Sequence, residues 1–179
     1  MTVTDAMTRW WSGLRASYEH GADAAEGERP LVGYAVLLGV YTATLTGVGL
    51  AVKRRSGRRA LPERPSLVDV ALLGVATFRV TRTLAKDAVL SPMRAPFATF
   101  QGPAGPGEVM EAPRPGPVRH AVGELITCPF CLGQWVATAG IAGLALAPRT
   151  TRWVSAGMTV VAAADALQLA FARLQQAAE

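Results

Sequence analysis

Charge is scarce in this chain. Only 17% of its 179 residues are Asp, Glu, Lys or Arg, against about 25% in an ordinary soluble domain. Half of the residues are apolar. Cysteine is almost absent: Cys128 and Cys131 are the two, which excludes the disulfide framework that staples small secreted folds. The chain has no Gly-rich phosphate loop, nucleophile elbow, carboxylate pair at sugar-hydrolase spacing or His-x-x-x-His cluster. The sequence therefore leans against an enzyme without deciding the matter, and it implies no cofactor. No secretory signal peptide is expected, because the first apolar run starts at Leu31 and ends in Lys53-Arg54-Arg55 rather than a small-residue cleavage site.

What charge there is carries an excess of +5. Its densest cluster, Lys53, Arg54, Arg55, Arg58 and Arg59, directly follows that apolar run. No long basic stripe interleaved with aromatics is present, so the partner expected is a lipid bilayer and not nucleic acid. Leu31–Val52 is free of charge and as a helix would reach roughly 33 Å, enough to cross a hydrocarbon core of about 30 Å. Gly39, Ala43 and Gly47 lie four apart on it and make a smooth face for a neighbouring helix.

Residues 1–30 read as a polar extension, in which Met7, Trp10, Trp11, Leu14 and Tyr18 recur at the spacing of an amphipathic interfacial helix. Residues 53–66 read as a basic loop. Ser66 with Asp69 three positions on reads as a capped helix start. The membrane core then covers 67–174, with helices at about 67–85, 129–147 and 153–174. Residues 101–117 hold so much Gly and Pro that an irregular loop is expected, followed by a short helix at His120–Ile126. The fold class is thus all-α: an integral membrane helical bundle of about four transmembrane helices, with a Gly/Pro-rich loop between the second and third. Lys and Arg are densest in 53–66 and in the turn at 148–152, which places both in the cytoplasm of a multi-pass cell-membrane protein. Lys86, Arg94, Arg114 and Arg119 count against that orientation.

The run Ala76-Thr-Phe-Arg79-Val-Thr-Arg82, followed by Asp87, Pro92 and Arg94, and the run Cys128-Pro-Phe-Cys131-Leu-Gly-Gln-Trp135-Val together resemble an uncharacterised bacterial membrane family, domain of unknown function 1360, which has a sporulation-associated member. The resemblance covers roughly residues 67–172. It implies a compact multi-span membrane protein and brings no activity, substrate or catalytic residue.

Two constellations carry the possible chemistry. Cys128 precedes Pro129, a residue favoured in the first turn of a helix. Cys128 then caps the helix and Cys131 lies in its first turn, where free N–H groups and the helix dipole favour a thiolate. Three readings stay open for the pair: a structural pair of thiols or a disulfide, a membrane-edge redox dithiol, and a metal site completed by His120 or a second subunit. The second constellation is a set of charges at membrane depth, where an arginine costs about 2.5–3.5 kcal/mol. Arg79, Arg82 and Lys86 share one helix face, Asp165 is the natural partner of Arg79 or Arg82, and Asp87 and Glu124 are further candidates near the outer interface. These groups either pack the bundle as salt bridges or line a site for an anion, a lipid headgroup or an ion. Three functions follow: a non-enzymatic scaffold or interaction protein with a membrane partner or a second copy, a thiol redox protein using Cys128 and Cys131, and a small transporter, pore or lipid-binding protein centred on Arg79 and Arg82.

Overall fold

The computed structural model describes residues 3–19, 29–56 and 64–178. Its elements are mostly helices, the longest of them where the apolar runs predict: α1 (Val3–Glu19), α2 (Leu31–Ser56), α3 (Leu67–Lys86), the short α4 (Ser91–Arg94), α5 (Pro117–Thr127), α6 (Pro129–Leu146) and α7 (Pro148–Ala178). Three of them, Leu31–Arg55, Pro129–Leu146 and Pro148–Ala178, are long and apolar enough to cross a membrane. Helix α3 is not in that set, since it carries Asp69, Arg79, Arg82 and Lys86.

Helix α3 starts where its cap residues place it. The Ser66 side chain accepts from the Asp69 N–H, and the Asp69 carboxylate accepts from the Ser66 N–H, closing a capping box. From there α3 packs along α7 and α6, while α2 lies against α5 and α6. Contacts advance together along α3 and α7: Arg152 meets Asp69, the Thr159 hydroxyl donates to the Leu72 carbonyl, and Arg79 meets Asp165. The two helices therefore run parallel. Helix α2 passes α5 at Tyr34 and α6 at Tyr41, so it runs parallel to α6, and only Ala147 separates α6 from the returning α7. One end of the bundle thus carries the starts of α3 and α7; the other carries the starts of α2 and α6.

The second end bears a folded cap, and here the irregular-loop expectation for 101–117 is corrected. Strands β1 (Ala98–Gly105) and β2 (Glu108–Pro113) form an antiparallel hairpin, so the chain is mostly helical and not purely so. Two physical features allow it. Pro106-Gly107 turns the chain, with Gly107 at a φ of 74° that suits the second central residue of a type II turn. A two-stranded sheet consists of edges alone, so Pro103 and Pro113 deny it few hydrogen bonds, and register shifts near both Gly102 and Gly105 absorb the misfit. The hairpin tip folds back onto the segment just past α3 through a hydrogen bond from the Ala88 N–H to the Gly107 carbonyl, 2.9 Å. Its base rests on α5 at Gly123, where a Cβ would come within 2.5 Å of the Phe97 carbonyl.

Other boundaries shift as well. The turn expected at 148–152 is helical: Pro148 opens α7 at a position where a missing N–H costs nothing, and Arg149 and Arg152 lie in its first turns. Helix α2 runs on through Lys53, Arg54 and Arg55, whose charge complements its C-terminal dipole. Of the basic loop expected at 53–66, residues 57–63, with Arg58 and Arg59, lie outside the described residues, as do residues 20–28 of the N-terminal extension. Helix α1 forms at 3–19 with Met7, Trp10, Leu14 and Tyr18 exposed.

The buried apolar core is small, consisting of Leu73, Ala76, Ala85, Ala98 and Ala121 among the described residues. Leu38, Val160, Leu167, Leu169, Phe171 and Leu174 stay more than 60% exposed. In water such surfaces would be contiguous apolar patches that soluble monomers avoid; against hydrocarbon they are at rest. The small-residue face of α2 is open in this fold, with nothing within 4 Å of a Cβ placed at Gly39 or Gly47.

Candidate functional site

Of the charges expected at membrane depth, Arg79, Arg82, Asp87, Glu124 and Asp165 are paired, though not always as the sequence suggests. Arg79 Nε lies 2.9 Å from an Asp165 oxygen, and its Nη2 lies 3.7 Å from Asp87. The approach to Asp165 is ionic without hydrogen-bond alignment, which leaves the buried Nε–H without an acceptor. Arg82 does not meet Asp165. It reaches the hairpin and holds Glu108 in a forked arrangement, with Nε and Nη2 donating at 3.0, 2.7 and 2.6 Å. Glu124 is a hub for α2 and α5: the Tyr34 hydroxyl donates to it at 2.5 Å, Arg29 lies 3.4 Å away, and His120 stands 3.6 Å from the same carboxylate. Asp69, read from the sequence as the acid that caps α3 with Ser66, also takes two hydrogen bonds from Arg152 at 2.8 and 2.9 Å.

Among the described residues Arg94 is the most enclosed charge, with its side chain only 2% exposed. Its Nη1 donates to the Leu84 carbonyl at 2.8 Å and its Nη2 to the Asp87 carbonyl at 2.9 Å, filling acceptors that the end of α3 leaves open. Glu111 of β2 balances its charge at 2.6 Å. Arg114 donates to the Ala95 and Ala98 carbonyls and Arg119 to the Pro96 carbonyl. These three arginines stitch a segment whose carbonyls have few neighbouring N–H groups, since proline supplies none. Sequence reasoning missed this role, as it missed Glu108 and Glu111. The available signal was the run of arginines flanking a Pro-interrupted segment.

The two thiols sit where the spelling Cys128-Pro-Phe-Cys131 places them. Cys128 caps α6, its Sγ accepting the Cys131 N–H at 3.3 Å; both thiols are free, Cys128 half-buried and Cys131 exposed. Burial pushes the Cys128 thiol up. Hydrogen bonds from the Cys131 thiol and from the Cys131 and Phe130 N–H groups, with the nearby Lys86 charge, outweigh that and pull it below an ordinary cysteine. Phe130, between the thiols, is 93% exposed. Among the described residues no group of three or more His, Cys, Asp or Glu side chains gathers where a metal ion could be held; His120 faces Glu124 instead.

The family model described as "Protein of unknown function (DUF1360)" matches residues 72–171, from the second turn of α3 to late α7. The chain belongs to the DUF1360 family. The sporulation protein YjcA of Bacillus subtilis is 30% identical over 90 residues, 49% of this chain and 76% of that protein. No solved structure matches significantly. The DUF1360 match takes in Arg79, Arg82, Arg94, Glu108, Glu111, both cysteines and Asp165, hence the whole cap and its anchors. Helices α1 and α2 lie outside it.

Proposed function

We propose that this DUF1360 protein is a non-enzymatic membrane scaffold. In this reading α2, α3, α6 and α7 all reside in the bilayer, and the cap of hairpin, α4 and α5 is a rigid surface at one face. The observation that carries the reading is the pairing of Asp69, Asp87, Glu108, Glu111 and Asp165, each with an arginine of the same chain. Guanidinium groups spent on internal carboxylates fasten helices and cap together, and this speaks against an anion, lipid-headgroup or ion site at Arg79 and Arg82. Partners in this reading are the bilayer and a membrane protein or second copy.

The end of α2 and the first turns of α7 face the cytoplasm in this reading, with the cap and the cysteines outside. Two facts support it. Lys53, Arg54, Arg55, Arg149 and Arg152 cluster at one end, and Arg94, Arg114 and Arg119 at the other are engaged with backbone carbonyls.

The test exchanges the partners. Arg79→Asp and Asp165→Arg should each lower the yield of monodisperse protein in detergent, and the double exchange should restore it. Single variants that assemble normally but lose binding of anionic lipid would replace the scaffold with a lipid-binding function.

A second reading is favoured by the helix-capping position of Cys128: a dithiol at the membrane edge that exchanges with a disulfide. A dithiol of this kind changes from free thiols to a disulfide on mild oxidation of the intact protein. Two thiols that stay free under oxidant would remove this reading.

A further inference from the structure

We propose that Cys128 is the attacking thiol of this site and Cys131 the resolving one, acting on an accessible disulfide of a partner. The assignment rests on the dithiol reading above and adds an order of events to it. Both sulfurs lie at the start of α6, but they are not equivalent. Cys128 is at the cap, where its Sγ accepts the Cys131 N–H at 3.3 Å and negative charge meets the positive end of the helix. Cys131 lies inside the first turn and is exposed.

Packing of α3 and α5 against α6 holds this helix start in place.

The steps balance. The Cys128 thiolate attacks one sulfur of the partner disulfide; that S–S bond breaks, and the other partner sulfur leaves as a thiolate and takes a proton from water. Cys131 then loses its proton to solvent and attacks Cys128 Sγ. The mixed disulfide breaks and the second partner thiolate departs. The partner disulfide has gained two electrons, and Cys128 and Cys131 have become a disulfide. The reverse sequence oxidises a partner dithiol.

The experiment uses the full chain in detergent with oxidised glutathione as the probe. Cys131→Ser should accumulate a glutathione adduct on Cys128, mapped by peptide mass. Cys128→Ser should yield at least about tenfold less adduct on Cys131, which lacks the cap position. The unmodified chain should end as the Cys128–Cys131 disulfide with no lasting adduct. Limiting iodoacetamide, which needs no variant, should alkylate Cys128 first. Adduct that forms preferentially on Cys131 overturns the order of attack and leaves the dithiol reading intact. No adduct on either thiol and no disulfide overturns both.

Discussion

Arg94 concentrates the energetics of the cap in one side chain. A guanidinium at 2% exposure is tolerable only because the Leu84 and Asp87 carbonyls, Ser91 and Glu111 all accept from it. Removing one side of such a pair leaves a buried charge uncompensated, a loss of about 3–5 kcal/mol. Arg94→Ala and Glu111→Ala should therefore each lower the midpoint of thermal unfolding in detergent and expose the hairpin to protease. A paired replacement of both by apolar residues of similar volume should cost less than either. Equal midpoints for all variants would show the pair to be idle. At Cys128 the relevant measurement is pH-dependent: its thiol is pulled below the usual range, so alkylation should rise at a lower pH than for an unperturbed cysteine, and unfolding should abolish that advantage. None of these residues announces itself by type alone. The sequence shows that Arg79 needs an acid and that Asp165 is available; it does not show that Arg82 instead reaches Glu108, a residue in a segment that reads as loop.

At the scale of elements, the cap depends on close backbone approach and α2 on open surface. Gly123 of α5 lies under the Phe97 carbonyl and Pro113, where a Cβ would approach to 2.5 and 3.0 Å. Gly123→Ala should push the hairpin off α5 and lower the unfolding midpoint, whereas Gly39→Ala on α2, with nothing within 4 Å, should leave the isolated monomer unchanged. A loss of self-association in Gly39→Ala without a change in midpoint would mark that face as a contact between copies. The helices themselves were legible because charge-free runs, a capping Ser66–Asp69 pair and a Cys-Pro start are local signals. The hairpin was not legible. Its Gly and Pro are turn and loop residues by local propensity, and its pairing is secured from outside by Arg82, Arg94 and α5, which lie elsewhere in the chain.

For the whole molecule, parallel α3 and α7 place both Arg152 and Asp69 at one end, opposite the cysteines. Single cysteines at Ser56 and Thr150, introduced into a Cys128→Ser, Cys131→Ser background, should react with a membrane-impermeant thiol reagent from the same side. A cysteine at Phe100 in the hairpin should react from the opposite side. Labelling of all three from one side would contradict the spanning arrangement. The purified chain should also require detergent, since Leu38, Leu167 and Phe171 remain largely exposed.

Which segments are apolar enough to cross a membrane was determined by the sequence alone. Long runs without charge satisfy their backbone in hydrocarbon only as helices, and that settles α2 up to Val52 and α6 as elements; α7 holds Asp165 within its apolar run and is long and apolar enough despite it. The tertiary structure decided which charges meet and what the segment between α3 and α6 becomes. Ion pairing and buried hydrogen bonding depend on distances of about 3 Å between residues far apart in the chain, and no local pattern encodes those distances.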